Sequence, residues 1–380
     1  MFSRRLDLKS KLRISKYSLN IIRLEFPSSL NLNKNISKDD INTEDLPDKR
    51  RKSIKFHLEV TMKKVWIDTD PGIDDAFAMA MLFASPDIEV VGISTIFGNV
   101  TVEQTTKNTR ILLEAAGKTH IPVCRGASFP LGVPLGTSPF VHGNNGLGDM
   151  PLPEPSMPES DLRAPQAIVN MILANPNEIS LLPIGPLTNI AMAYLLEPKI
   201  SQLVKEVVIM GGAVHCPGNI TPTAEANFFH DPHAAQIVIS AGWKIFLAGL
   251  DVCTYGIVPQ ILLDKVCSAS TPLAPFIKGS VPFFQAFLAR FGLHDGVEFP
   301  DALAAAYLLE PGLFTMEEVP LFVETEGSCL GQSIPVPYGK WYEDQTDNTS
   351  FKADHYIAPV NVMLKADTPG FLSLIEKLLT

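Results

Sequence analysis

Asp68-Thr69-Asp70-Pro71-Gly72-Ile73-Asp74-Asp75 sets four carboxylates within eight residues, directly after the apolar run Val65-Trp66-Ile67. Like charges a few ångströms apart raise one another's pKa, so such crowding is unfavourable unless a cation or strong donors neutralise it. A divalent metal does this economically, and oxygen donors favour calcium or magnesium over zinc. The chain has no HExxH motif and no Cys-x-x-Cys pair, the usual marks of a zinc site. Asp74 and Asp75 also suit the first turn of a following helix, where negative charge meets the positive end of the helix dipole. Capping accounts for one or two carboxylates and leaves the others, so the stretch predicts a metal centre.

The elements that must position this cluster follow from hydrophobic runs. Short apolar segments alternate with helix-length ones from Lys63 onward: VWID then DDAFAMAMLFA, IEVVGIST then TVEQTTKNTRILLEAAG, EISLLPI then GPLTNIAMAYLL, KEVVIMGG before a helix at 231–241, and KIFLAGLD. This pattern predicts βαβ units and an α/β fold, a mainly parallel central sheet with helices on both faces and a Rossmann-like core. Strands buried on both sides read as continuous apolar runs, as these do. Ligands of such sheets sit beyond the carboxyl ends of the strands, where the polar residues fall. Three segments read as irregular, around residues 122–160, 215–232 and 290–300, and long loops inside a compact domain tend to be functional.

Composition narrows the classes further. The chain has 380 residues, 46% of them hydrophobic, enough for one large core. No run approaches the roughly 18 to 20 apolar residues of a membrane span. Five scattered cysteines (Cys124, Cys216, Cys253, Cys267, Cys329) form no disulfide framework, which suits a cytoplasmic protein. Residues 1–62 carry 14 Lys and Arg against 8 Asp and Glu, whereas the rest carries 17 against 33. The acidic body argues against a nucleic-acid surface and suits a neutral or cationic ligand. Residues 1–62 read as a flexible extension, its first two dozen residues also suiting an organellar transit peptide, with Met62 as an alternative start. The catalytic domain is expected over 63–380.

V-W-I-D-T-D-P-G-I-D-D-A resembles the N-terminal signature of the inosine-uridine preferring nucleoside hydrolases. The resemblance continues through Gly98-Asn99, Val141-His142-Gly143, Gly146-Leu147-Gly148, Gly185-Pro186-Leu187-Thr188-Asn189 and Met210-Gly211-Gly212. It ends with Ala224-Glu225-Ala226-Asn227, Asp231-Pro232 and Asp301-Ala302-Leu303-Ala304, so that about residues 63–375 are covered. It implies cleavage of the N-glycosidic bond of ribonucleosides by water, with Ca2+ as cofactor and a homodimer or homotetramer as assembly. Carried onto this chain, it makes Asp70, Asp75, the main-chain carbonyl of Ile184 and Asp301 the calcium ligands, and Asp70 also the general base that activates the water. Asp74, Asn99, Glu225 and Asn227 would bind ribose hydroxyls, with Met210 packed near the sugar. Building positive charge on the ribose in an acidic pocket makes chemical sense. Without the resemblance, Asn99, Glu225 and Asn227 also admit a lesser reading as loop-stabilising side chains, and Met210 reads as core.

The pattern departs at the leaving-group acid. Family members often carry His directly before the last calcium-binding Asp, and some purine-specific members carry Trp; this chain has Pro300. His294, six residues early in His294-Asp295, is one candidate acid if its loop swings inward, and a surface His is its plain alternative. His142 is the other candidate, as acid or 5′-side contact, against a buried structural role. His215, His230 and His233 carry no signal. Asp68-x-Asp70 imitates the nucleophile motif of haloacid-dehalogenase-type phosphatases, but Pro71-Gly72 replaces the Gly-Thr or Gly-Val that continues it. A non-catalytic nucleoside-binding protein of the same fold is the remaining alternative, against which Asp70 argues.

Overall fold

Strands covered on both faces need apolar side chains pointing both ways, and β1 (Lys63–Thr69) meets that demand. Val65 and Ile67 enter one buried cluster while Trp66, between them, enters a second on the opposite face. The computed structural model describes residues 62–336 and 359–380, together with Arg23–Leu24 and Phe56–His57. The chain divides into two compact units, Met1–Met62 and Lys63–Thr380. In the first unit, Arg23–Leu24 and Phe56–His57 pair antiparallel. The flexible-extension and transit-peptide readings of residues 1–62 otherwise lie outside the described residues.

The second unit carries helix α1 (Ile73–Ala84), strand β2 (Ile88–Thr95), helix α2 (Val102–Ala115), strand β3 (Val123–Arg125), helix α3 (Pro139–His142) and helix α4 (Ala164–Ala174). Strand β4 (Ile179–Pro183), helix α5 (Thr188–Leu196), strand β5 (Glu206–Met210), helices α6 (Ala226–His230) and α7 (Pro232–Ser240) and strand β6 (Ile245–Ala248) follow. Helices α8 (Ala274–Ala289) and α9 (Pro300–Leu309) precede strands β7 (Phe314–Val323), β8 (Ser333–Pro335) and β9 (Pro359–Ala366), and α10 (Thr368–Leu379) closes the chain.

Nine strands form one sheet in the order β8-β7-β9-β6-β5-β4-β1-β2-β3. Strands β3 through β9 along that order are parallel, and β7 pairs antiparallel with both β9 and β8 at the edge. The expected mainly parallel α/β sheet is therefore present, with an antiparallel edge that the apolar runs did not signal. From β1 the chain builds outward on one side through β2 and β3, and on the other through β4, β5 and β6. Such a reversal opens a crevice at the carboxyl ends of the central strands. Asp70, Asn99, Ile184 and Met210 lie at or just beyond the carboxyl ends of β1, β2, β4 and β5. The three segments read as irregular hold little more than β3, α3, α6 and the short strand Val297–Glu298.

Trp66 leans across β2, where Gly92 makes room for it. A Cβ on Gly92 would fall 2.3 Å from the indole ring, whose Nε1 donates to Ser94 Oγ at 2.9 Å. Trp66 is buried and cannot retreat into solvent. Gly92→Ala should therefore destabilise the fold by about 1 to 3 kcal/mol through overpacking. Urea unfolding followed by tryptophan fluorescence checks this, and a midpoint equal to the parent's contradicts the close approach.

Candidate active site

At the end of β1 the chain turns through Asp70-Pro71-Gly72 into α1, and the turn itself consumes several polar groups. Gly72 is the helix N-cap, and its N–H donates to Asp75 Oδ2 at 2.9 Å. Thr69 Oγ1 donates to Asp75 Oδ1 at 2.5 Å. Asn99, from the loop after β2, donates its backbone N–H to Asp70 Oδ2 at 2.7 Å and its amide to the Asp70 carbonyl and Asp75 Oδ2 at 3.1 and 3.0 Å. Asn108 on α2 holds the Pro71 carbonyl at 3.0 Å.

Asp301 joins from the first turn of α9, which packs against α1. Two helix N-termini thus converge on the cluster, and their dipoles favour negative charge there. One carboxylate oxygen from each of Asp74, Asp75 and Asp301 lies within 4.8 Å of the other two. Asp70, expected as a ligand, is buried beside this triad rather than within it. Asp70 Oδ1 and Asp74 Oδ1 are buried with no hydrogen-bond partner.

Burial pushes the pKa of Asp74 and Asp75 up to about 6, with the Asp74 charge adding to the rise at Asp75. Burial also raises Asp70 and Asp301 well above the carboxylate range, reinforced in each by the charges of its acidic neighbours. Unpartnered buried oxygens within a group of four acids fit a hard divalent cation, because oxygen donors are what such an ion takes and its charge relieves the repulsion. Capping alone, the alternative for Asp74 and Asp75, leaves these oxygens unexplained.

The remaining expected residues divide. Asn227 donates its amide to the carbonyls of Ile184 and Met210, both at 3.1 Å, so the Ile184 carbonyl is held at the site's edge. Glu225 caps α6 and accepts from Asn227 N–H, Phe228 N–H and Gly212 N–H at 2.8, 3.1 and 2.9 Å. Both its oxygens serve the loop, as the loop-stabilising alternative supposed. Met210 is buried in the apolar cluster beneath, with its sulfur 3.3 Å from the Asn227 amide.

His142 is brought to the site: its Nδ1 accepts from Ile73 N–H at 3.2 Å and lies 3.7 Å from Asp74 Oδ1. A nitrogen that accepts an amide proton holds a lone pair, so the ring is neutral with its proton on Nε2, and the Asp74 contact is not an ion pair. Burial, opposed by the Asp75 charge, depresses its pKa to about 4, in keeping with that tautomer. His294 is not brought to the carboxylates. It is exposed between Phe291 and Gly296 and has no hydrogen-bond or ion-pair partner among the described residues.

Thr69 and Asn108 escaped the sequence reading, although Thr69 stands inside the acidic motif. So did Asn189, which donates to Asp68 Oδ1 at 2.8 Å and accepts from Ala127 N–H at 2.9 Å. Asp68 faces this network rather than the triad, and burial lifts its pKa to about 7.

A family model described as inosine-uridine preferring nucleoside hydrolase matches residues 65–373. Uridine nucleosidase 1 of Arabidopsis thaliana is 33% identical over 316 residues, 83% of this chain and 92% of its own length. The inosine-uridine preferring nucleoside hydrolase of Leishmania major is 37% identical over 269 residues, 70% of this chain and 85% of its own. Among solved structures, a plant nucleoside hydrolase matches with a TM-score of 0.77 at 31% identity, covering 84% of this chain and 99% of that one. A purine-preferring ribonucleoside hydrolase from Gardnerella vaginalis matches with a TM-score of 0.75 at 27% identity, covering 83% and 98%.

The carboxylates give the metal-free protein a pH signature. A carboxyl whose pKa is raised on folding favours the folded state at low pH, and that contribution is lost as pH rises from the unfolded value through the folded one. Here the window runs from 3.8 to about 6 for Asp74 and Asp75 and to about 7 for Asp68. A divalent cation held there would compete with those protons, so with calcium as the probe the thermal midpoint of chelator-treated protein should rise more at pH 7.5 than at pH 5. An increment of about 4 °C is expected at pH 7.5 once the cation exceeds its Kd a hundredfold. Differential scanning fluorimetry reads it; equal increments at both pH values would speak against the cluster as the binding site.

Proposed function

The chain belongs to the inosine-uridine preferring nucleoside hydrolase family and hydrolyses the N-glycosidic bond of ribonucleosides; we propose that it does so at the buried carboxylate cluster, with Asp70 as general base and calcium as resident cation. The observation that carries this reading is the pair of unpartnered oxygens, Asp70 Oδ1 and Asp74 Oδ1, buried among four carboxylates at the crevice of the sheet. Asp70, Asp75, the Ile184 carbonyl and Asp301 would hold calcium. When bound there it supplies positive charge that lowers the pKa of the attacking water and anchors the ribose diol.

The chain's own residues divide the remaining work. Asp70 takes the proton of the water whose oxygen attacks C1′, and the C1′–N bond breaks with its electron pair leaving on the base. Asp74 and Asn227 would meet the ribose hydroxyls and fix C1′ relative to Asp70, with Asn99 and Glu225 holding the backbone around them in place. The surrounding carboxylates stabilise the positive charge that builds on the ribose ring. Neutral His142 can offer its Nε2–H as a hydrogen-bond donor on the Asp74 side of the pocket, which a protonated ring would not be needed for. His294 would have to move inward to assist the leaving base. The same reading extends to a cytoplasmic homodimer or homotetramer acting in nucleoside salvage or catabolism, its assembly to be read by light scattering.

A reducing-sugar assay with inosine, uridine, adenosine, guanosine and cytidine tests the reaction and its base preference. Ribose release should vanish with chelator and return with calcium. Asp70→Ala should lower kcat by about 10^2 to 10^4, the range of a lost general base, whereas His294→Ala should stay within about threefold if its loop remains outward. A folded, calcium-binding protein that releases no ribose from any of the five would refute the proposal.

A further inference from the structure

We propose that Gly98 and Gly185 are positioning residues for Asp70: the side chains they lack leave two slots that the Asp70 carboxylate fills, one oxygen in each. The inference rests on Asp70 being the working carboxylate. A Cβ built on Gly98 would fall 2.1 Å from Asp70 Oδ2, and one built on Gly185 would fall 2.4 Å from Asp70 Oδ1. Each would also lie 3.0 Å from Asp70 Cγ, well inside the roughly 3.5 to 4.0 Å of optimal carbon contact. The carboxylate is therefore gripped edgewise between two backbone segments, the loop leaving β2 and the loop leaving β4.

This grip divides the labour of the two oxygens. Oδ2, on the Gly98 side, is committed to the Asn99 N–H at 2.7 Å. Oδ1, on the Gly185 side, is buried and without a partner. Backbone walls resist rotation of the carboxylate more firmly than flexible side chains would, and a working group held to a fraction of an ångström keeps its geometry. The Gly185 slot also keeps the adjoining Ile184 carbonyl near the same end of β1, where Ile184 N–H donates to the Asp68 carbonyl at 2.8 Å.

The two glycines differ in what forbids a side chain. Gly98 has φ +154°, a conformation L residues rarely adopt, so substitution there strains the backbone as well. Gly185 has no positive φ; apart from Asp70, its missing Cβ meets Ile96 Cγ2 at 2.9 Å. Gly185→Ala thus adds a side chain without backbone strain, and removing Asp70 separates its clash with the carboxylate from that with Ile96.

The test is a double-mutant cycle on the full chain in chelator, reading thermal midpoints of the parent, Gly185→Ala, Asp70→Ala and the double variant. Gly185→Ala should lower the midpoint by about 2 to 4 °C with Asp70 present and by less than half as much in the Asp70→Ala background, where the obstructing oxygens are gone. Titration calorimetry with calcium should find its affinity reduced about tenfold or more in Gly185→Ala. Equal losses in both backgrounds, or an unchanged calcium affinity, would overturn the proposal and leave Gly185 as room for Ile96. Should Gly185→Ala fail to fold, a folded double variant supports the coupling and an unfolded one overturns it. The cycle uses neither metal nor nucleoside, so its failure is distinct from a failure to release ribose.

Discussion

Mutual repulsion among buried acids is the constraint around which this molecule is built. Asp70, Asp74, Asp75 and Asp301 stand together out of water, and every nearby donor is placed to soften that arrangement without abolishing it. Thr69, Gly72 and Asn99 each give a hydrogen bond to Asp70 or Asp75, yet Asp70 Oδ1 and Asp74 Oδ1 are left over. Full satisfaction by protein donors would make a stable, inert network. Leaving two oxygens unpaired makes the site fit for a cation, whose charge would relieve the repulsion that the protein's own donors leave in place.

The sheet provides a place where such a cluster is tolerable. Reversal of strand order on either side of β1 leaves a crevice at the carboxyl ends of the strands. Helices α1 and α9 bring their positive N-terminal ends there, and their packed apolar bodies anchor Asp75 and Asp301. Phe299, just ahead of Asp301, stacks on Phe77 of α1 with ring centroids 4.1 Å apart, so one aromatic pair fixes the spacing of two acids from distant parts of the chain. Stability in the core is thereby converted into precision at the site.

His142 illustrates how environment decides role. Its sequence context offers an acid, but the Ile73 N–H occupies Nδ1 and burial disfavours the charged ring. What remains is a neutral donor of fixed tautomer. With Pro300 directly before Asp301, the proposed chemistry relies on activating the water and stabilising the ribose cation more than on protonating the base.

The mainly parallel α/β plan was legible in the chain's apolar runs, because strands buried on both faces must be continuously apolar and helices between them must be periodic, while the antiparallel edge was not. The acidic character of the site was legible as well, because Asp70, Asp74 and Asp75 stand within six residues, although Asp68 beside them turns to Ser94 and Asn189 instead. Two of the four proposed calcium-ligand positions, Asp301 and Ile184, were legible only through resemblance, since they carry no local mark. Tertiary structure alone decided that Asp74, rather than Asp70, completes the tightest triad, that Glu225 spends both oxygens on its own loop, and that His294 stays outside while His142 lies within. It alone gave Gly98 and Gly185 their meaning. Spacing along a chain encodes what neighbours in sequence can do together, whereas burial, hydrogen-bond partners and the room left for a side chain are set by segments that meet only when the sheet is assembled.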